Sequence, residues 1–268
     1  MPVHPDAPSL SLVFLCWNEE EALPRTLDEA VQWCRENLDD WEILVVDDGS
    51  TDASAAIISK HAESEPRIRL LQHPVNRGMG AGLRTAIGAA SKDYYCMLAA
   101  DGQIPTGEVG KLLHLLREAP VVTSVYDNRK GPMRLFLSRG FRMYMRLLVG
   151  VDFALEGTYL FPVALARDEI GLHNVGADTF FFSFELVARA IQRGTRVATG
   201  TISVRPRIDG GASRVANVNR IKRVASEVIA LRRRLRAEET GWNNVRRTIS
   251  LCFRVIARSL SRCRSLCP

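Results

Sequence analysis

The first hundred residues alternate between short apolar runs and helix-spaced segments, and each apolar run leads into a polar cluster. Ser9–Cys16, Trp41–Asp47, Ile68–Gln72 and Asp93–Leu98 read as buried strands. Between them Glu19–Leu38, Asp52–His61 and Ala81–Ala90 have helical spacing, with Leu23, Leu27, Ala30, Val31 and Cys34 on one face of the first. Strands apolar on both faces and separated by helices predict an α/β chain built on a mostly parallel sheet covered on both sides. Ligands of such sheets bind beyond the carboxyl ends of the strands. The polar clusters fall there. Trp17-Asn18-Glu19-Glu20 follows the first strand, and Asp47-Asp48-Gly49-Ser50-Thr51-Asp52 closes the second. Asn76-Arg77-Gly78-Met79-Gly80-Ala81-Gly82 follows the third, and Asp101-Gly102-Gln103 the fourth. Any one cluster serves as an ordinary cap or turn. Four at four strand ends form a rim.

Composition removes other classes. A chain of 268 residues with 46% hydrophobic content is neither disordered nor fibrous, and can bury a full core. No apolar stretch reaches the roughly 20 residues of a membrane span. The opening Met1-Pro-Val-His-Pro-Asp has no signal-like apolar core. The six cysteines lack zinc spacing, and Cys16 and Cys96 read as small core residues. These features lead to the expectation of a soluble, reduced, cytoplasmic chain. Glycines 78, 80 and 82 follow the third strand, whereas a dinucleotide fingerprint belongs to the first strand–helix turn. A nicotinamide cofactor is therefore not expected. The net charge of +6 is uneven: residues 216–268 carry +10 and residues 1–215 carry −4. A basic tail on an acidic body suits phosphates, whether on lipid, substrate or nucleic acid.

In order and content, Asn18-Glu19, Val46-Asp47-Asp48-Gly49-Ser50-Thr51-Asp52, Asn76–Gly82 and Asp101-Gly102-Gln103 resemble the family 2 glycosyltransferases. More narrowly, the chain is similar to dolichyl- or polyprenyl-phosphate sugar synthases. The matching motifs run over roughly residues 9–215. They extend through Arg129, Arg134, Ser138, Asp152 and Phe182-Ser183-Phe184-Glu185-Leu186 to Arg205-Pro206-Arg207-Ile208-Asp209-Gly210-Gly211-Ala212-Ser213-Arg214. The resemblance implies a GT-A fold over 1–215, with a nucleotide-sugar half at about 9–105 and an acceptor half at about 106–215. Residues 216–268 are left as a basic helical tail.

The resemblance also implies roles. Asp101 and Gln103 would hold Mg2+ or Mn2+, a Lewis acid for the departing diphosphate. On an extended segment, residues two apart reach the same side. Asp47 or Asp48 would accept hydrogen bonds from base or ribose, Leu15 to Trp17 would flank the base, and Asn18 and Glu19 would lie nearby. Arg77 and Gly78 would approach the nucleotide closely. One departure stands out: the family commonly reads Asp-Ala-Asp-Gly-Gln where this chain reads Ala99-Ala100-Asp101-Gly102-Gln103. The lost carboxylate would weaken binding by roughly 1–3 kcal/mol, which makes a catalytically weakened nucleotide-sugar-binding protein an alternative.

A lipid monophosphate has its second ionisation near pH 6 and is already an oxyanion at neutral pH. It needs cations rather than a base. Arg129, Arg134, Arg207, Ser213 and Arg214 would supply them. The expected reaction is inverting transfer from a GDP-mannose- or UDP-glucose-type donor to a polyprenyl phosphate. A hydroxyl acceptor, the second alternative, would need a base, with Asp152, Asp178 or Glu185 as candidates. Asp178 or Ser183 could cap the helix that Glu185 opens. The Gln-x-x-Arg-Trp of processive polysaccharide synthases is absent, and no nucleic-acid module is present. In the tail Val245, Ile249, Cys252, Phe253, Ile256, Leu260 and Cys263 step by three or four, with Arg246, Arg247, Arg254, Arg258 and Arg262 on the other faces. Such a basic amphipathic helix suits the cytoplasmic surface of a membrane, or packs on its own domain.

Overall fold

The computed structural model describes residues 8–127, 132–206 and 223–238, with the backbone alone at 132–137. Arg129, Arg207, Ser213, Arg214 and the expected tail stripe lie outside these residues, as does the side chain of Arg134.

Seven strands form one sheet in the order β3-β2-β1-β4-β6-β5-β7. Strands β1 (Leu10–Cys16), β2 (Trp41–Asp47), β3 (Ile68–Gln72) and β4 (Tyr94–Ala99) are mutually parallel. Helices α1 (Leu23–Asn37), α2 (Ser54–Ser64) and α3 (Met79–Ala89) connect them. Strand β6 (Tyr159–Pro162) runs antiparallel between β4 and β5 (Val121–Tyr126), and β7 (Val197–Ile202) pairs parallel with β5. Helix α4 (Glu108–Leu113) precedes β5, α5 (Pro132–Val149) follows it, and α6 (Phe181–Gln192) precedes β7. A last described helix, α7, covers 223–238.

The residues explain the layers. Every residue of β2 is buried, because helices cover both faces of the sheet. One core cluster gathers Val13, Leu44, Val46 and Leu83 with Phe181 and Phe182 of α6. The other gathers Leu12, Phe14, Ile43 and Val45 with Leu23, Leu27 and Ile58. Val224, Val228, Leu231 and Leu235 place one face of α7 in the first cluster, so residues 223–238 of the basic segment pack on the sheet domain. Cys16, Cys34 and Cys96 are buried free thiols. Burial pushes Cys16 and Cys96 up to about 12, and neither is a nucleophile at neutral pH.

Two polar groups inside this frame are fully accounted for. Glu42 of β2 accepts from Ser11 Oγ, Ser91 N and Ser91 Oγ, and from Arg69. Burial alone would raise its pKa, but these donors outweigh it and the carboxyl lies below its usual range. Glu65, at the end of α2, takes Arg67 and Arg35, and Arg67 also stacks over Trp41 at 3.8 Å. The Arg67 hydrogen bond leads in holding Glu65 down to about 2.

This carboxylate therefore stabilises the fold fully above its unfolded value of about 4.3, and the contribution is lost as pH falls toward 2. Both arginines are about half exposed, so the gain is limited to about 1 kcal/mol. Glu65→Gln should cost that much in urea unfolding at pH 7 and less at pH 3. An equal cost at both would refute the linkage.

Candidate active site

Strand register brings the rim together. Cys16 pairs with Asp47, Leu15 with Val46 on one side and with Ala99 on the other. Ala100 N donates to Leu15 O, and Asp48 N to Cys16 O. The ends of β1, β2 and β4 are thus level. Leu15, Trp17, Asp47, Asp48, Ala99 and Asp101 lie along one edge, with Trp17 43% exposed.

The two central aspartates are engaged by the protein itself. Asp47 is fully buried and accepts from Ser50 N at 3.1 Å and Gln72 Nε2 at 3.2 Å. Asp48 Oδ1 accepts from Arg77 N at 2.9 Å and lies 2.7 Å from His73 Nδ1; Oδ2 accepts from Gly78 N at 2.8 Å. Asp48 is the anchor of the 76–78 turn, and it leaves the Arg77 side chain exposed above it. Sequence reading missed this because the partners lie 29 and 30 residues away.

The glycines serve close packing as well as the turn. Gly78 has φ +88°, a backbone region that side chains rarely adopt. A Cβ on Gly80 would sit 2.7 Å from the Asp178 backbone, and Gly80 N donates to Asp178 O at 3.1 Å. The amino end of α3 is thereby pressed against the loop before α6.

Asn18 and Glu19 hold two loops together. Asn18, at φ +54°, donates its N to Ser50 Oγ and accepts from Thr51 N. Glu19 N donates to Ser54 Oγ and Glu20 N to Asp52 Oδ2. These commitments shift the start of α1 from the expected Glu19 to Leu23, where Pro24 sits in the first turn. Asp52 is partly desolvated, but bonds from Ser54 and Glu20 lower its pKa overall. A cleft of about 240 Å³ lined by Asn18, Glu19, Glu20, Glu21 and Asp52 opens here. Its carboxylates make it a poor seat for a diphosphate.

Asp101 and Gln103 share a tight turn, a correction to the expected extended segment. Gly102 takes φ +67° and Asp101 Oδ1 accepts from Gln103 N at 3.0 Å. Arg205, to which the resemblance gave no role beyond opening the 205–214 segment, braces this turn. Its N donates to Gln103 O, its Nε to Gly102 O and its guanidinium to Glu29 Oε2. Glu29 Oε1 in turn accepts from Thr106 N. Among the described residues no cluster of three or more His, Cys, Asp or Glu can hold a metal. One carboxylate and one amide oxygen on a turn nevertheless suit a hard divalent ion that keeps water and takes its other ligands from a diphosphate.

The remaining acidic candidates have structural partners. Glu185 is fully buried and accepts from Gly176 N, Ala177 N, Arg189 Nε and Arg234. Asp178 pairs with Arg84 at 2.9 Å and Ser183 Oγ donates to Tyr159 Oη. Neither caps α6. Asp152 lies 3.8 Å from Arg146 on the surface.

A sheet of this order with an acidic and glycine-rich rim at the ends of β1, β2 and β4 is the GT-A glycosyltransferase architecture. The profile described as Glycosyl transferase family 2 matches residues 11–188, and the chain belongs to that family. It is 36% identical over 146 residues to a dolichyl-phosphate beta-glucosyltransferase of Trichomonas vaginalis, covering 49% of this chain and 45% of that protein. It is 32% identical over 163 residues to an undecaprenyl-phosphate 4-deoxy-4-formamido-L-arabinose transferase of Pectobacterium carotovorum, covering 58% and 48%. The chain thus aligns with about half the length of these relatives. Glucosyl-3-phosphoglycerate synthase from Mycobacterium tuberculosis, crystallised with Mn2+, uridine diphosphate and phosphoglyceric acid, superposes with a TM-score of 0.61. At 20% identity over 84% of this chain and 77% of that one, it shares the fold.

Proposed function

We propose that the chain transfers a sugar from a nucleotide-sugar to a polyprenyl phosphate with inversion, using Mg2+ or Mn2+. The observation that carries this reading is the similarity to two polyprenyl-phosphate sugar transferases over the sheet domain that bears the rim. The lipid phosphate oxygen attacks the anomeric carbon. The new carbon–oxygen bond forms as the bond to the donor's diphosphate breaks, and the nucleoside diphosphate leaves with the electron pair. Asp101 and Gln103 would hold the divalent ion, which supplies Lewis-acid stabilisation of the leaving diphosphate. Leu15 and Trp17 would flank the base beside Asp47, and Arg77 would face the phosphates. The partnering of Asp178, Glu185 and Asp152 agrees with an acceptor that needs no general base. Arg129, Arg207 and Ser213 are assigned to the acceptor phosphate on the family resemblance alone.

Such an acceptor would put the reaction at a membrane. No helix among the described residues is long and apolar enough to cross one. Helix α5 shows Met143 and Leu147 at 63% and 72% exposure, with exposed Arg139 and Arg146 along the same face. That face and the basic tail would rest on the cytoplasmic surface of an anionic membrane, each cation contributing about 1 kcal/mol. Leu147→Glu and deletion of 242–268 should each reduce co-sedimentation with anionic vesicles, an effect that fades as salt rises. Wild-type protein that ignores such vesicles at low salt would end this part of the reading.

The deciding experiment presents UDP- and GDP-sugars with magnesium or manganese, with and without a short polyprenyl phosphate. Transfer to the phosphate supports the proposal. Nucleotide binding without any transfer would favour the weakened protein that Ala99 suggests, and transfer to hydroxyls alone would favour the other alternative.

A further inference from the structure

We propose that Arg234 of α7, acting through Glu185, is a positioning residue for the donor-site turn at 76–82. This rests on the donor site proposed above. It is carried by contacts that no catalytic step uses.

Helix α7 grips the loop at 174–179 at three places. Glu227 accepts from Thr179 Oγ1. Arg234 donates to Glu185 Oε2 at 2.7 Å, and Glu185 receives the backbone N–H groups of Gly176 and Ala177 at 3.2 Å each. Glu238 takes Arg189 with both oxygens, and Arg189 donates to Asn174 O at 2.7 Å. The fit is tight: a Cβ on Gly176 would lie 2.5 Å from Arg234 Cζ. Glu185 and Arg189 are both fully buried, so this network has few alternative arrangements.

The opposite side of the same loop holds the glycine turn. Asp178 O accepts from Gly80 N, and the Asp178 backbone fills the space a Gly80 side chain would need. Arg84 of α3 donates to Asp178 Oδ1 and to the carbonyls of Val175 and Ala177. From Gly80 the turn continues through Gly78 and Arg77 to Asp48. One short loop therefore joins the first described helix of the basic segment to the turn that presents Arg77. Removing Arg234 takes the cation from Glu185 Oε2 and leaves Ala177 N as that oxygen's one remaining bond, which loosens the hold on the 176–177 amides and lets the seat of α3 shift.

The test measures binding of UDP and GDP with Mg2+ by calorimetry at 15 °C, alongside backbone amide exchange and thermal melts. The variants are Arg234→Ala, Arg234→Lys and, as an exposed α7 control, Arg233→Met. Arg234→Ala should raise the nucleotide Kd about tenfold and speed exchange at Gly78–Gly82 as well as at 174–178. The kcat at saturating donor should fall much less than kcat/KM. Arg234→Lys, which keeps a cation for Glu185, should recover most of the affinity, and Arg233→Met should match wild type. Faster exchange confined to α6 and α7, with nucleotide affinity unchanged, would reduce Arg234 to scaffolding and overturn the proposal. Should Arg234→Ala fail to fold, Arg234→Gln, which keeps the side-chain bulk and removes the cation, carries the same comparison against Arg234→Lys. Should wild type bind neither nucleotide, the donor-site reading itself fails, and the exchange pattern at 78–82 still decides whether the clamp exists.

Discussion

Asp101→Asn should lower sugar transfer by roughly 10²–10³-fold, the range seen when one preorganised electrostatic group is removed from a transition state. Asn keeps a hydrogen-bond acceptor for Gln103 N, so the turn and the fold should survive. What disappears is the negative charge that would fix a divalent ion beside the diphosphate. Single-turnover rates across a metal titration check this, with the melting curve as the folding control. Wild-type rates at limiting metal would remove Asp101 from the site. Ala99 sharpens the experiment: Ala99→Asp, two residues before Asp101, should tighten UDP or GDP binding in the presence of Mn2+. Weaker binding would mean that the site has been rebuilt around the alanine.

Glu185→Ala should cost about 3–5 kcal/mol of stability, the usual consequence of leaving buried charge without its partner. Arg189 is fully buried and would retain Glu238 and Asn174 O but lose its contact inside the core. Arg234, whose Nε is already buried without a hydrogen-bond partner, would lose its carboxylate. For a domain of this size each kcal/mol is about 2–4 °C, so the melting temperature should drop by roughly 10 °C. A variant that melts with wild type and merely loses transfer would instead make Glu185 a participant in the chemistry.

The sheet domain was legible where pattern alone decides structure. Trp41–Asp47 and Ile68–Gln72 form strands over those same residues, since unbroken apolar runs between turn signals leave little else to form. The rim was legible because register follows from parallel pairing. Its internal wiring was not. Asp48 is bound to a turn 29 residues on, and Arg205 reaches Glu29 across 176 residues. No local spacing encodes such pairs. Nor does local spacing single out α7, whose Val224, Val228, Leu231 and Leu235 find their place in the core only once the sheet and α6 are built.

On the donor site proposed above, the anchoring role of Asp48 also bears on any attempt to change which nucleotide is accepted. Its oxygens hold Arg77 N and Gly78 N and meet His73. Replacing it alters the shape of the seat before it alters any preference, so a library randomised at this position would mostly return variants impaired toward every donor. Leu15, Trp17 and the Arg77 side chain line the same edge while the backbone beneath them is held by other groups. Exchange of donor preference is open to selection there, on a seat that stays in place.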